Sequence, residues 1–326
     1  MTGIVERADR FQRAHRSIGL PLGVIYKFFD DQGNYLAAII TYYAFVSIFP
    51  LLLIASSVLG FLLQGNQQLE HDVLHSALEQ FPIVGTQLGK PEGIRGSTSA
   101  IVVGALAAVY GTMGLGQATQ NALNTTLAIP RNSRLNPIAS RVRSLILILA
   151  AGLSVLVLSV LTIVANHTAG FGLDLSTGLR WLLRVVAFAG TVGVLGAIAM
   201  ISSSKRQTFR EVLPGSVVVA SLWQILQGIG GSYVNHVVTK ADSLNSTFAL
   251  VLGLVAFVYA GATVVVLGLE INVVLAERLY PRALLTPFTD AVDLTEADRR
   301  AYTRYAQAQR HKGFQRVHVD FDEPPP

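Results

Sequence analysis

Six stretches of this chain are apolar over about the 20 residues a helix needs to cross roughly 30 Å of hydrocarbon, and no other feature restricts the fold as much. They lie at residues 36–63, 98–120, 143–167, 181–201, 214–236 and 247–271. Backbone N–H and C=O groups inside a bilayer must be satisfied within their own segment, which selects helices. The predicted fold class is therefore all-α: a polytopic membrane protein with six transmembrane helices and short amphipathic interfacial helices. No sheet is expected. Composition agrees, with 14% charged residues and a mean hydropathy of +0.49, against about 25% charged in soluble domains.

The sequence pI near 9.6 raises nucleic acid as a partner until the basic residues are located. Five lie before the first span (Arg7, Arg10, Arg13, Arg16, Lys27), four in the second connection (Arg131, Arg134, Arg141, Arg143), three in the fourth (Lys205, Arg206, Arg210) and eight after the last span. The other connections hold only Lys90, Arg95, Arg180 and Lys240. Such asymmetry predicts that both termini are cytoplasmic. The basic balance is then mostly topology, and no nucleic-acid partner is expected.

Three regions follow: a cytoplasmic amphipathic N-terminal segment (1–35), a six-helix transmembrane domain (36–276) and a cytoplasmic, partly disordered tail (277–326). Residues 4–18 place Ile4, Ala8, Phe11, His15 and Ile18 on one face of an interfacial helix that Gly19 and Pro21 should stop. Residues 67–81 repeat the pattern with Leu69, Val73, Ala77 and Phe81. The start lacks the apolar core of a signal peptide, so the first span should be retained. In the tail, Thr295 with Asp298 three residues on predicts a capped helix, and "DFDEPPP" an unstructured end.

Enzyme chemistry finds little to work with. There are no cysteines, no P-loop, no nucleophile elbow and no grouped carboxylates. His71 and His75, four apart near Glu79, do not form an HExxH motif. No catalytic residue, metal or cofactor is expected.

The polar residues inside the spans carry the functional reading. Pro50 should kink the first helix near its middle, with Ser47 able to satisfy a freed carbonyl. Tyr42 and Tyr43 either belong to an interfacial aromatic belt or line a cavity. Gln117, Asn121 and Asn124 fall at i, i+4 and i+7, one stripe of a helix. Gln224 and Gln227 lie near mid-bilayer and must bond another helix or face water. Gly228, Gly230 and Gly231, with Gly253, Gly261 and Gly268, allow close helix approach or a broken helix. Glu270 is the sole acid within any predicted span. It either pairs at the cytoplasmic edge with an arginine such as Arg143 or Arg210, or forms with Asn272 a gate or proton-coupling site near Tyr42 and Tyr43.

The stretch "LAAIITYYAFVSIFPLLLIASSVLGFLL", through Ala37, Ala38, Tyr42, Tyr43, Ser47, Phe49, Pro50 and Leu51, resembles the first-span signature of the YihY/BrkB family of bacterial inner-membrane proteins, formerly mislabelled ribonuclease BN. A second similarity lies in "FVYAGATVVVLGLEIN", through Tyr259, Gly268, Glu270 and Asn272. The chain departs from the family at "NSTFA" (245–249) and at Phe257, where tryptophan is usual. The resemblance implies a polytopic protein of the bacterial plasma membrane, commonly supposed to be a transporter, with some members linked to lipid export or serum resistance. Two readings stay open: a transporter or lipid translocase without its own ATPase, taking a lipid or small molecule, and a non-transporting envelope scaffold or regulatory protein. Membrane lipids are partners in both.

Overall fold

The computed structural model describes residues 3–62, 98–166, 177–233 and 243–322. The predicted outer helix at 67–81, with His71, His75 and Glu79, lies outside them. Among the described residues there is no strand. Nine helices are present there: α1 (Gly3–Ala14), α2 (Arg16–Asp30), α3 (Gly33–Leu62), α4 (Thr98–Thr126), α5 (Pro137–Asn166), α6 (Thr177–Ser202), α7 (Phe209–Tyr233), α8 (Ser243–Ala276) and α9 (Glu296–Ala308).

Each of α3 to α8 packs against the next, and α8 packs back onto α3, so six long helices close into a ring. Among the described residues four contain segments long and apolar enough to cross a membrane: Pro137–Val155, Trp181–Ser202, Phe209–Tyr233 and Phe248–Ala276; Gly33–Ile48 is a shorter apolar stretch. Large apolar side chains such as Leu149, Leu153, Trp181, Val185, Ile229 and Leu252 point outward. An apolar outer surface of this extent belongs in lipid.

Several helices outrun the apolar stretches that mark them in the sequence, and they do so at one end of the ring. α4 continues to Thr126, α5 begins at Pro137 and α8 ends at Ala276. The extra turns are held by packing: Val24 of α2, Leu123 of α4 and Leu127 just beyond it, Ala199 of α6, Val212 of α7, Val273 and Val274 of α8 and Ala301 of α9 are part of one buried cluster. Cross-links reinforce it. Arg304 Nη2 donates to the Leu127 carbonyl (3.0 Å) and Lys205 pairs with Glu277 (3.0 Å). The four basic segments of the sequence thus gather on one side.

The N-terminal segment differs from its expected form. Gly19 and Pro21 do not stop a helix; they lie inside α2, and the break comes at His15, whose backbone is extended (φ −114°). A proline in the second turn removes only one helical hydrogen bond. Packing offsets that loss, because the missing Cβ atoms of Gly19 and Gly23 let α2 approach the carbonyls of Gln12 and Leu279. On α1, Ala8 and Phe11 stay exposed while Asp9 and Gln12 hold the tail, accepting from Leu284 N (2.7 Å) and donating to the Arg282 carbonyl (2.6 Å) respectively.

The sixth-span glycines are sockets for α7. A Cβ on Gly268 would overlap Val219, one on Gly261 would meet Trp223, and one on Gly253 would overlap Tyr233. α8 stays unbroken through all three, and α7 through Gly228, Gly230 and Gly231. The predicted tail helix forms as read: Thr295 and Asp298 make a capping box at the start of α9.

Candidate functional site

A pocket of about 330 Å³ opens where α3, α4 and the start of α5 meet, lined by Tyr43, Gln117, Asn121 and Asn124 together with Gln120, Arg134 and Ser140. Helical periodicity builds it, since the amide stripe of α4 turns one polar edge inward. Gly114 opens the space, since a Cβ there would overlap the Tyr43 ring, and Gly116 lets α4 close on α5, where a Cβ would press on Ser144 at 2.6 Å. Gln120 is fixed in the wall, donating to Ser144 Oγ (2.8 Å) and the Ser140 carbonyl (3.1 Å).

Local chain chemistry puts Arg134 over this stripe. α4 ends where Ala128 turns left-handed (φ 51°), a short 3-10 turn spans Arg131–Ser133, and Asn136 Oδ1 accepts from Ala139 N (2.7 Å) ahead of Pro137 to start α5. Arg134 Nε donates to the Ile129 carbonyl and Nη1 to Asn121 Oδ1, both at 3.2 Å. Burial first, and then the charge of Arg131, push the Arg134 guanidinium below its ordinary value. Asn124, only 8% exposed, leaves its Oδ1 buried without a hydrogen-bond partner among the described residues.

A second polar centre lies where α2 meets α8. Lys27 Nζ is 2.5 Å from Asp31 Oδ2 and 3.4 Å from Glu270 Oε2, with all three side chains at most 2% exposed. Among the described residues neither Glu270 oxygen has a hydrogen-bond partner, so the contact with Lys27 is an ion pair. Glu270 therefore pairs with Lys27, and not with Arg143 or Arg210. Sequence position hides this pairing because α2 folds back beneath the ring instead of stopping at Pro21. Beside it, Arg282 binds Asp30 (2.8 Å) and Asp298 (2.5 Å). Burial pushes the Asp30 carboxyl up despite Arg282, whereas Arg282 itself is pushed up, its two carboxylates outweighing its burial.

The remaining predicted residues scatter. Tyr42 is 58% exposed on the outer surface while Tyr43 faces the pocket. Ser47 is fully buried and its hydroxyl donates back to the Tyr43 and Ala44 carbonyls. α3 runs through position 50, although the Pro50 side chain lies outside the described set. Gln224 is exposed, Gln227 half-buried and Tyr259 at the outer surface, all away from the pocket. Asn272 braces α8 to α7 by accepting from Gly215 N (2.7 Å). The structure thus joins Tyr43, Gln117, Asn121 and Asn124 in one site and puts Glu270 in another.

Sequence reasoning passed over Lys27, Asp31 and Arg134 as functional residues, having counted the two cations only as topology markers. The signals were there: Lys27 and Asp31 are i, i+4 in the apolar run "VIYKFFDD", a spacing that pairs opposite charges on a helix. Arg134 sits between Pro130 and Pro137, in a connection too short to stray from the helix ends it joins. Among the described residues, no group of His, Cys, Asp and Glu could hold a metal ion.

Among curated proteins, the chain is similar to a UPF0761 membrane protein of Psychrobacter sp. (strain PRwf-1), 25% identical over 287 residues. That alignment covers 83% of this chain and 52% of the relative, so the chain spans about half the length of the curated protein it matches. No solved structure matches it. The family model described as virulence factor BrkB matches residues 24–290, a span that contains the pocket and the Lys27–Glu270 centre, and the chain belongs to that family.

Proposed function

We propose that this protein is a transporter or lipid translocase of the bacterial plasma membrane, with α3 to α8 spanning the bilayer and both termini in the cytoplasm. Its substrate enters the pocket between α3, α4 and α5 from the basic side. The observation that carries this reading is a polar, partly open pocket in the wall of a bundle whose outside is apolar. Amides and an arginine at such a place are costly unless water or a ligand reaches them. The protein acts without catalysis and without a nucleotide site of its own, so passage is facilitated or is driven by a gradient or a partner.

The scaffold reading draws less support. Its contact would be the cytoplasmic tail, yet much of the tail is occupied within the molecule, through Asp298 to Arg282, Arg304 to Leu127 and Leu284 to Asp9. The test is flux of labelled phospholipids and small solutes in proteoliposomes containing the intact protein. Transport is expected in the wild type and at least tenfold less in Gln117→Leu and Asn124→Leu, which fill the pocket with apolar side chains. No flux of any tested class would leave the scaffold reading standing.

A further inference from the structure

We propose that the pocket is a binding site for a phosphate ester whose alcohol part carries a hydrogen-bond donor, with the phosphate on Arg134 and the donor on Asn124 Oδ1. This assignment rests on the transporter reading and names its substrate class.

Three features supply the positive side. Arg134 is half-buried, and among the described residues no carboxylate pairs with it; its two hydrogen bonds go to neutral oxygens and leave Nη2 unused. Arg131 does not line the pocket but lies close enough for its charge to act on Arg134, and among the described residues no acidic side chain pairs with either. The first turn of α5 borders the pocket through Ser140, which adds the partial positive charge of a 30-residue helix. A guanidinium edge beside a second cation and a helix N-terminus suits a tetrahedral oxyanion better than a neutral group.

The acceptor side is independent of this charge. Asn124 Oδ1 is buried in the pocket wall with no donor, so a ligand that brought only an anion would leave it unsatisfied. A hydroxyl or ammonium group attached to the same phosphate answers both needs at once. Ile39 and Leu135 line the same pocket and are 44% and 38% exposed. They form an apolar edge on which an acyl chain can rest, while a soluble ester would leave them bare.

The test uses the full chain reconstituted in nanodiscs, with binding followed by thermal protection. The probes are glycerol 3-phosphate, glycerol, and nanodiscs with or without phosphatidylglycerol against a phosphatidylcholine background. Protection by glycerol 3-phosphate identifies a soluble ester as the source, and protection by phosphatidylglycerol alone identifies a lipid headgroup. Glycerol should do nothing. Arg134→Gln should weaken the effective probe at least tenfold. Asn124→Asp, which keeps the side-chain shape and sets a negative charge against the phosphate, should do the same even if Arg134→Gln folds poorly. Arg316→Gln, which removes an exposed tail cation, should not matter. Binding that survives Asn124→Asp, or that falls equally with Arg316→Gln, overturns the assignment, as does failure of both phosphate probes. If neutral solutes cross wild type and Asn124→Asp membranes alike, the transporter reading stands and the phosphate assignment falls.

Discussion

Glu270 of α8 and Lys27 of α2 meet at 3.4 Å in a place solvent does not reach, and Asp31 makes Lys27 the shared counter-ion of two carboxylates. Buried ions are tolerated only when paired, and removing one partner strands the other. Lys27→Met should therefore destabilise the protein by about 3–5 kcal/mol. Glu270→Gln should cost less, because the Lys27–Asp31 pair survives it. The double variant Lys27→Met/Glu270→Gln should be more stable than the two single losses sum to. Unfolding of the detergent-solubilised protein measures all three, and additive losses would mean that the two residues do not interact.

Asp298 is the knot of the tail. Its carboxylate accepts from Arg282 Nε, Ala283 N, Thr295 N and Thr295 Oγ1. Asp298→Ala removes a helix cap and leaves Arg282 short of a partner, a loss of at least about 3 kcal/mol locally. Limited proteolysis should then cut between residues 285 and 310 while α3 to α8 stay intact. Equal resistance in both proteins would contradict it.

The joint beneath the ring should weaken at both ends of the pH scale. Burial works to raise the Glu277 carboxyl, but Lys205 and Arg304 outweigh it and hold it below its usual value. A depressed acid contributes stability above its unfolded pKa of about 4.3, lost as pH falls through the lower folded value. Burial pushes the hydroxyls of Tyr26, Tyr302 and Tyr305 up. Their contribution is full below about pH 10 and declines above it, where the unfolded chain would ionise first. Asp30, pushed up by burial, opposes the acid limb in part. Release of α9 to protease from pH 3 to 11 should trace a plateau with two falling edges, and Glu277→Gln should flatten the acidic one.

Two glycines of α7 should respond in opposite ways to alanine. A Cβ on Gly215 would run into the Gly268 carbonyl, whereas one on Gly228 meets nothing within 4 Å. Gly215→Ala should destabilise by about 1–3 kcal/mol through overpacking. Gly228→Ala should be neutral or stabilising by up to about 1 kcal/mol, from helix propensity alone. Thermal unfolding of the two variants separates them.

The helices were legible because lipid-length apolar runs and basic connections are strong, local signals. The amide stripe of α4 was legible for the same reason: Gln117, Asn121 and Asn124 share a face by helical periodicity alone. What lay beyond reach depends on long-range packing. Nothing near Glu270 in the sequence says that Lys27 will meet it, and Gly19 and Pro21 read as a stop unless the close approach of Gln12 and Pro281 to Gly19 is known. Gln224 and Tyr259 lie away from this pocket, because depth in an apolar run does not reveal which way a side chain points.

Arg282 and Asp30, joined at 2.8 Å, are 252 residues apart in the chain. Translation therefore delivers Asp30 long before its counter-ion exists. During synthesis Asp30 must stay hydrated until Arg282 arrives, and the N-terminal segment can close against the tail only after the final helix has left the ribosome. Nascent chains stalled before residue 282 should carry an N-terminus still open to cross-linking, and release of the tail should be the event that seals it.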